Sequence, residues 1–99
     1  MKRDEVVYEV VAQRERDEVI EYIAARNFAA ALRLDVEIDA VLDLLARGDP
    51  PVDGTAVRLR SGRSCRQWFV HPVTIYYDRA PGRVIVLHVR HHARAPITQ

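Results

Sequence analysis

Residues 73–94, VTIYYDRAPGRVIVLHVRHHAR, decide the reading of the fold. Val73 to Asp78 is rich in β-branched and aromatic residues, which suit a pleated, half-buried surface. Pro81-Gly82 is a turn pair, because Pro presets φ and Gly accepts positive φ. Val84 to Val89 runs apolar with His88 the only interruption, as a central strand or one buried on a face does. The stretch therefore predicts two strands joined by a tight turn. It leaves through Arg90, His91, His92 and Arg94, an exit expected to present positive charge. Parity assigns Ile85, Leu87 and Val89 to the core, with Val84, Val86, His88 and Arg90 on the other side. Arg58, Arg60, Arg66 and Trp68 are expected to join that exposed side, unless a bulge near Ser61-Gly62 or His71-Pro72 flips them.

Working outward, Val6 to Ala12 reads as a strand with apolar residues on both faces. From Gln13 to Arg26 the period is helical, with Val19, Ile20 and Ile23, joined by Tyr22, inward and Glu15, Arg16, Asp17, Glu18 and Glu21 toward water. Asn27 is a capping residue for a second helix over 28–47, whose inner stripe is Ala31, Leu34, Ile38, Val41, Leu42 and Leu45. Gly48 and Pro50-Pro51 supply the stop. Val57 to Arg60 and Ser64 to Val70 look extended, with a bend at Ser61-Gly62. Residues 1–99 then form one α+β domain: an N-terminal strand, a helical hairpin and an antiparallel β-meander, β-α-α-β-β-β.

An apolar content of 48% is ordinary for a chain that folds around one modest core. The single cysteine, Cys65, excludes an internal disulfide and reads as a small buried hydrophobe. No signal peptide and no apolar run of about 18 residues is seen, so a cytoplasmic protein without a membrane partner is expected. The net charge of +1 hides a split. Residues 1–53 carry 7 Lys/Arg against 13 Asp/Glu, a balance of −6; residues 54–99 carry 8 Arg against one acid, Asp78, a balance of +7. Such a split suits either an anionic partner for the second half or two halves that neutralise each other.

The chain resembles the RelE/ParE superfamily of bacterial toxins from type II toxin–antitoxin modules, closer to its ParE-like branch. The resemblance rests on Glu21-Tyr22-Ile23-Ala24, on Asn27 and the alanines after it, and on Arg58 in Val57-Arg58-Leu59. It continues through Ile75-Tyr76-Tyr77 and Val86-Leu87-His88-Val89-Arg90-His91 to Val89-x-His91-x-x-Arg94. It implies a toxin that inhibits growth by binding a cellular target, DNA gyrase in the ParE-like branch. It also implies neutralisation by a cognate antitoxin, in a toxin–antitoxin hetero-oligomer. The RelE-like alternative is an endoribonuclease acting on mRNA in the ribosome. Lys2 is the only lysine and no tyrosine follows Tyr77, both departures from the RelE pattern.

Metal-free RNA cleavage needs a base, an acid and cationic stabilisation. Arg66, Arg90 and Arg94 can supply charge and His91 or His92 the proton transfer; Arg66, Arg90, His91 and Arg94 are the catalytic set of the endoribonuclease alternative. A binding toxin needs no catalytic residue, and the preferred reading assigns none. Arg90, His91 and Arg94, with Arg58 and Arg60, are then the expected target contacts. Arg66, Trp68, Tyr76 and His88 are the expected antitoxin contacts. No spacing among His88, His91, His92 and Cys65 resembles a zinc site, so neither a metal nor another cofactor is expected.

Overall fold

The computed structural model describes residues 3–47 and 52–99. The elements are β1 (Glu5–Tyr8), α1 (Val10–Ala24), α2 (Phe28–Arg47), β2 (Thr55–Arg58), β3 (Ser64–Val70), β4 (Val73–Ala80) and β5 (Arg83–His91). They build one five-stranded sheet in the order β1-β5-β4-β3-β2. The α+β class holds: strand, helical hairpin, then a meander of four strands. Gly48 and Pro50-Pro51, read as the helix stop, lie outside the described residues.

The first strand is shorter than its apolar run. It pairs in parallel with β5 from Glu5↔Arg83 to Tyr8↔Val86, so the sheet is mixed rather than purely antiparallel. The last strand-like bond is Glu9 N–H to Val86 O, 3.0 Å. Val10, Val11 and Ala12 then form the first turn of α1. Their apolarity misled because Val10 is 76% exposed, whereas Ala12 is fully buried and opens the inner helical stripe. Glu9 precedes the helix in an extended conformation without a side-chain cap.

Asn27 closes one helix and opens the next. Its N–H donates to Ile23 O, and its side-chain Oδ1 accepts from Ala30 N–H at 3.0 Å, satisfying a donor the new helix would otherwise leave orphaned. Ala31, Leu34, Ile38, Leu42 and Leu45 are buried as their spacing predicts, with Val19 of α1. Of these, Leu34, Ile38, Leu42, Leu45 and Val19 meet Val70, Val73, Ile75, Tyr77, Val84, Val86 and Val89 of the sheet in one core.

A second, smaller core lies on the other sheet face: Leu59, Cys65, Tyr76 and Leu87, with Val57, Ile85 and Ile97 packed against it. It overturns the parity assigned to β5. Val84 and Val86 belong to the helix-side core, and Ile85 and Leu87 to the second. Val89 returns to the helix side because the register slips between Tyr76 and Tyr77, where Tyr76 pairs His88 but Tyr77 pairs Val86. The same two-sided burial moves Trp68, which is half-buried against the helix-side core.

Arg16, expected in water, is buried. It extends the stripe Ala12, Arg16, Val19 and is held by Tyr8 Oη, Asp35 at 2.8 Å and Asp39 at 2.9 Å. Burial opposes its charge, but the Asp39 and Asp35 carboxylates outweigh that and raise its pKa above the ordinary value. At the other end of the sheet, Tyr77 Oη donates to Asp53 at 2.8 Å and accepts from Gly54 N–H at 2.6 Å. Burial pushes the Tyr77 phenol up to about 12. Gly54 lies so close to β3 that a Cβ would stand 2.0 Å from Gln67 O. The β4–β5 turn uses Gly82 at φ +73°, as the Pro-Gly pair predicts.

Ile38 has no exposed surface. Ile38→Asp should unfold the domain, since breaking a buried apolar contact with an unpaired charge costs several kcal/mol against a total stability of roughly 5–15 kcal/mol. Loss of the cooperative thermal transition followed by circular dichroism checks this.

Candidate functional site

The end of β5 and the middle of α1 enclose a groove of about 310 Å³. Its walls are Val19 and Val89 beneath, Glu15, Glu18 and Tyr22 on the helix, and Arg90, His91 and Arg94 on the strand and its exit. Three of the expected target contacts therefore share one concave surface. The groove exists because β1 stops at Tyr8 while β5 runs on to His91. Among the described residues, no strand lies beside the edge of β5 beyond Val86.

Glu15 takes that edge. Its Oε1 accepts from Val89 N–H at 3.2 Å and lies 2.9 Å from His88 Nδ1, while Oε2 is 3.6 Å from Arg90. A carboxylate thus satisfies a backbone donor that a longer β1 would have paired. Arg90 is further held by Nε and Nη2 donating to Ala95 O at 3.2 and 2.9 Å. Arg94, with 62% of its side chain exposed, lies 3.6 Å from Glu18. The exit is consequently not the free positive patch its sequence suggests, because α1 meets it with two carboxylates.

His91 stacks edge-on against Tyr22 at 6.0 Å, and its Nδ1 accepts from Ala93 N–H at 2.9 Å. Burial lowers its pKa, and the charges of His92, Arg94 and His71 lower it further. The neutral ring then carries its proton on Nε2 and can donate there but has no free acceptor nitrogen.

The other expected site residues lie elsewhere. Arg66 donates to Gly54 O at 2.9 Å and sits 3.7 Å from Asp53. In register, Arg66 faces Tyr77 whereas Arg90 faces Thr74. Strand spacings put their backbones roughly 14 Å apart. The four residues of the endoribonuclease set therefore do not converge. Arg58 and Arg60 are exposed at the β2 end, bonded to Gly62 O and Thr98 O. Tyr76 is only 7% exposed, within the second core. Sequence reasoning missed Glu15, Glu18 and Tyr22 as groove residues. Their spacing of i, i+3 and i+7 on α1 marks one helix face and was the available signal. Among the described residues, no three His, Cys, Asp or Glu side chains cluster as metal ligands do, and no helix is long and apolar enough to cross a membrane.

The described residues thus build a short mixed sheet under a helical hairpin, with a charged groove at the strand exit. The pattern of the family described as ParE toxin of type II toxin-antitoxin system, parDE, matches residues 6–96, and the chain belongs to that family. Among solved structures, a chain from "Chromosomal ParDE TA system from P. aeruginosa" shares the fold with a TM-score of 0.69 and 12% identity, over 90% of this chain and 96% of that one. No curated protein sequence matches.

Two outcomes are expected here. Glu15→Leu leaves Val89 N–H unpaired and should destabilise by about 1–3 kcal/mol, whereas Glu15→Gln keeps an acceptor and should cost less. Urea unfolding, with amide exchange at Val89, compares them. Because folding depresses the His91 pKa, its contribution to stability is present above the unfolded value near 6.5 and is lost as pH falls through the folded one. Imidazole NMR should place the His91 midpoint below 6.5, and Arg94→Ala should raise it.

Proposed function

We propose that this ParE-like toxin inhibits growth by binding DNA gyrase through the groove of Arg90, His91 and Arg94. A cognate antitoxin with an acidic amphipathic segment neutralises it, in a hetero-oligomer in the cytoplasm. The observation that carries the reading is the groove itself: rigid β5 and α1 hold Arg90 and Arg94 at an apolar floor, in a family of toxins. An anionic surface of the target replaces Glu18 as the partner of Arg94. Binding is favoured over cleavage because His91 Nδ1 is already an acceptor for Ala93 and Arg66 stands outside the groove. For the antitoxin, Arg66 and half-buried Trp68 offer accessible surface on β3, whereas Tyr76 is buried and His88 is engaged by Glu15. Arg58 and Arg60 form a separate cationic surface at β2, the far edge of the sheet from the groove.

The purified chain should inhibit supercoiling by purified gyrase and leave translated mRNA intact in primer extension. Arg94→Ala should weaken that inhibition while changing stability by no more than about 0.5 kcal/mol, as exposed sites do. Arg90→Ala should also lose inhibition but cost about 1 kcal/mol, because it gives up its bonds to Ala95 O. Site-specific mRNA cleavage with unimpaired supercoiling would replace this reading by the endoribonuclease one.

A further inference from the structure

Main chain as well as side chains borders the groove along β5. Val89 N–H points to Glu15, and His92 N–H points the opposite way, to Pro72 O at 2.9 Å. By strand alternation Val89 C=O and His91 N–H turn to the same side as Val89 N–H, toward α1 and the groove. Neither has a hydrogen-bond partner among the described residues. A donor and an acceptor so spaced match the C=O and N–H of one incoming peptide residue opposite Arg90, as in a parallel bridge.

The side chains give the groove no excess of either charge. Glu15 and Glu18 on α1 face Arg90 and Arg94 on the strand side. Surfaces that hold a nucleic acid backbone carry a clear positive excess. A phosphate here would meet two carboxylates and would leave Val89 C=O without a donor. The floor, by contrast, is apolar: Val19 is 6% and Val89 2% exposed, and Tyr22 stands beside them as an aromatic wall, 53% exposed. The two ion pairs also differ. Arg90 is tied to Ala95 O and to Glu15, whereas Arg94 and Glu18 meet at 3.6 Å between exposed side chains. Such an exposed pair is weak, so an incoming carboxylate can replace Glu18 at little cost.

We propose that the groove docks a short segment of the target protein, not its DNA: an apolar side chain lies on Val19, Val89 and Tyr22, and a neighbouring carboxylate takes Arg94 from Glu18. One residue of the segment bonds Val89 C=O and His91 N–H. A volume of about 310 Å³ suits a side chain and its peptide unit rather than a whole folded element. This rests on the proposed function for the groove's being the toxic surface, and adds the chemical class of the group it accepts.

The probe is the capped pentapeptide serine–leucine–aspartate–leucine–serine, titrated into the isotope-labelled full chain and followed by amide NMR at neutral pH. The Val89 and His91 amides should shift most, and the shifts should saturate. Tyr22→Ala should weaken binding roughly tenfold, the loss expected of an aromatic contact. Glu18→Gln frees Arg94 and should tighten binding roughly threefold, in keeping with a weak exposed pair. No shift at Val89 and His91 in either the parent or Glu18→Gln overturns the proposal. Equal binding of the peptide with lysine in place of aspartate also overturns it. So does a short DNA duplex that shifts the same amides at lower concentration, which would assign the groove to nucleic acid. Supercoiling inhibition is measured without the peptide. Inhibition that persists while the peptide fails to bind sinks this inference alone, and peptide binding without inhibition supports it and sinks the gyrase reading.

Discussion

The brevity of β1 governs the rest of the molecule. Four residues pair in parallel with β5, and the chain then leaves the sheet for α1. Had β1 continued through Ala12, as its apolar run allows, it would have covered β5 as far as the exit. Instead the second half of β5 keeps an open edge, and α1 lies along it. The polar demand of that edge falls on a side chain, Glu15, which bonds Val89 N–H and also reaches His88 and Arg90. The groove, its apolar floor and the fixed position of Arg90 all follow from that one early exit.

Much of the fold was legible in the sequence because its signals were local. The α2 stripe, the Asn27 cap, β3 and the Pro-Gly turn depend on spacing and on the backbone preferences of single residues. What was not legible depended on pairings across the chain. The end of β1 could not be read from Val10 and Val11, since an exposed helical valine and a buried strand valine look alike in sequence. The faces of β5 failed for a related reason. Period-two logic assumes one buried side, and here both sides are covered, with a register slip in the middle. The cationic exit was recognised, but not the carboxylates facing it, because Glu15 and Glu18 read as solvated residues of an acidic helix.

Arg16 shows the same limit in energetic terms. A guanidinium on the inner stripe of α1 is tolerable only because Tyr8, Asp35 and Asp39 converge on it from β1 and α2. The desolvation of such a group is large, and a buried ion pair adds little net stability. Its effect is geometric: three elements are held in one register relative to one another, and the helix lining the groove is among them. Part of the acidic balance of the first half is thus consumed inside the hairpin rather than displayed.

The contact between Gly54 and Gln67 O bears on how this chain can vary. Gly62 and Gly82 have open space where a Cβ would stand, so their demand is one of φ alone, which Asn can often meet. At Gly54 the obstacle is the backbone of β3 itself, which no rotamer change can move. Homologous chains that keep this strand spacing should therefore hold glycine at the equivalent of position 54 while drifting freely at other loop positions, so a loop residue becomes a tighter marker of the lineage than the core valines.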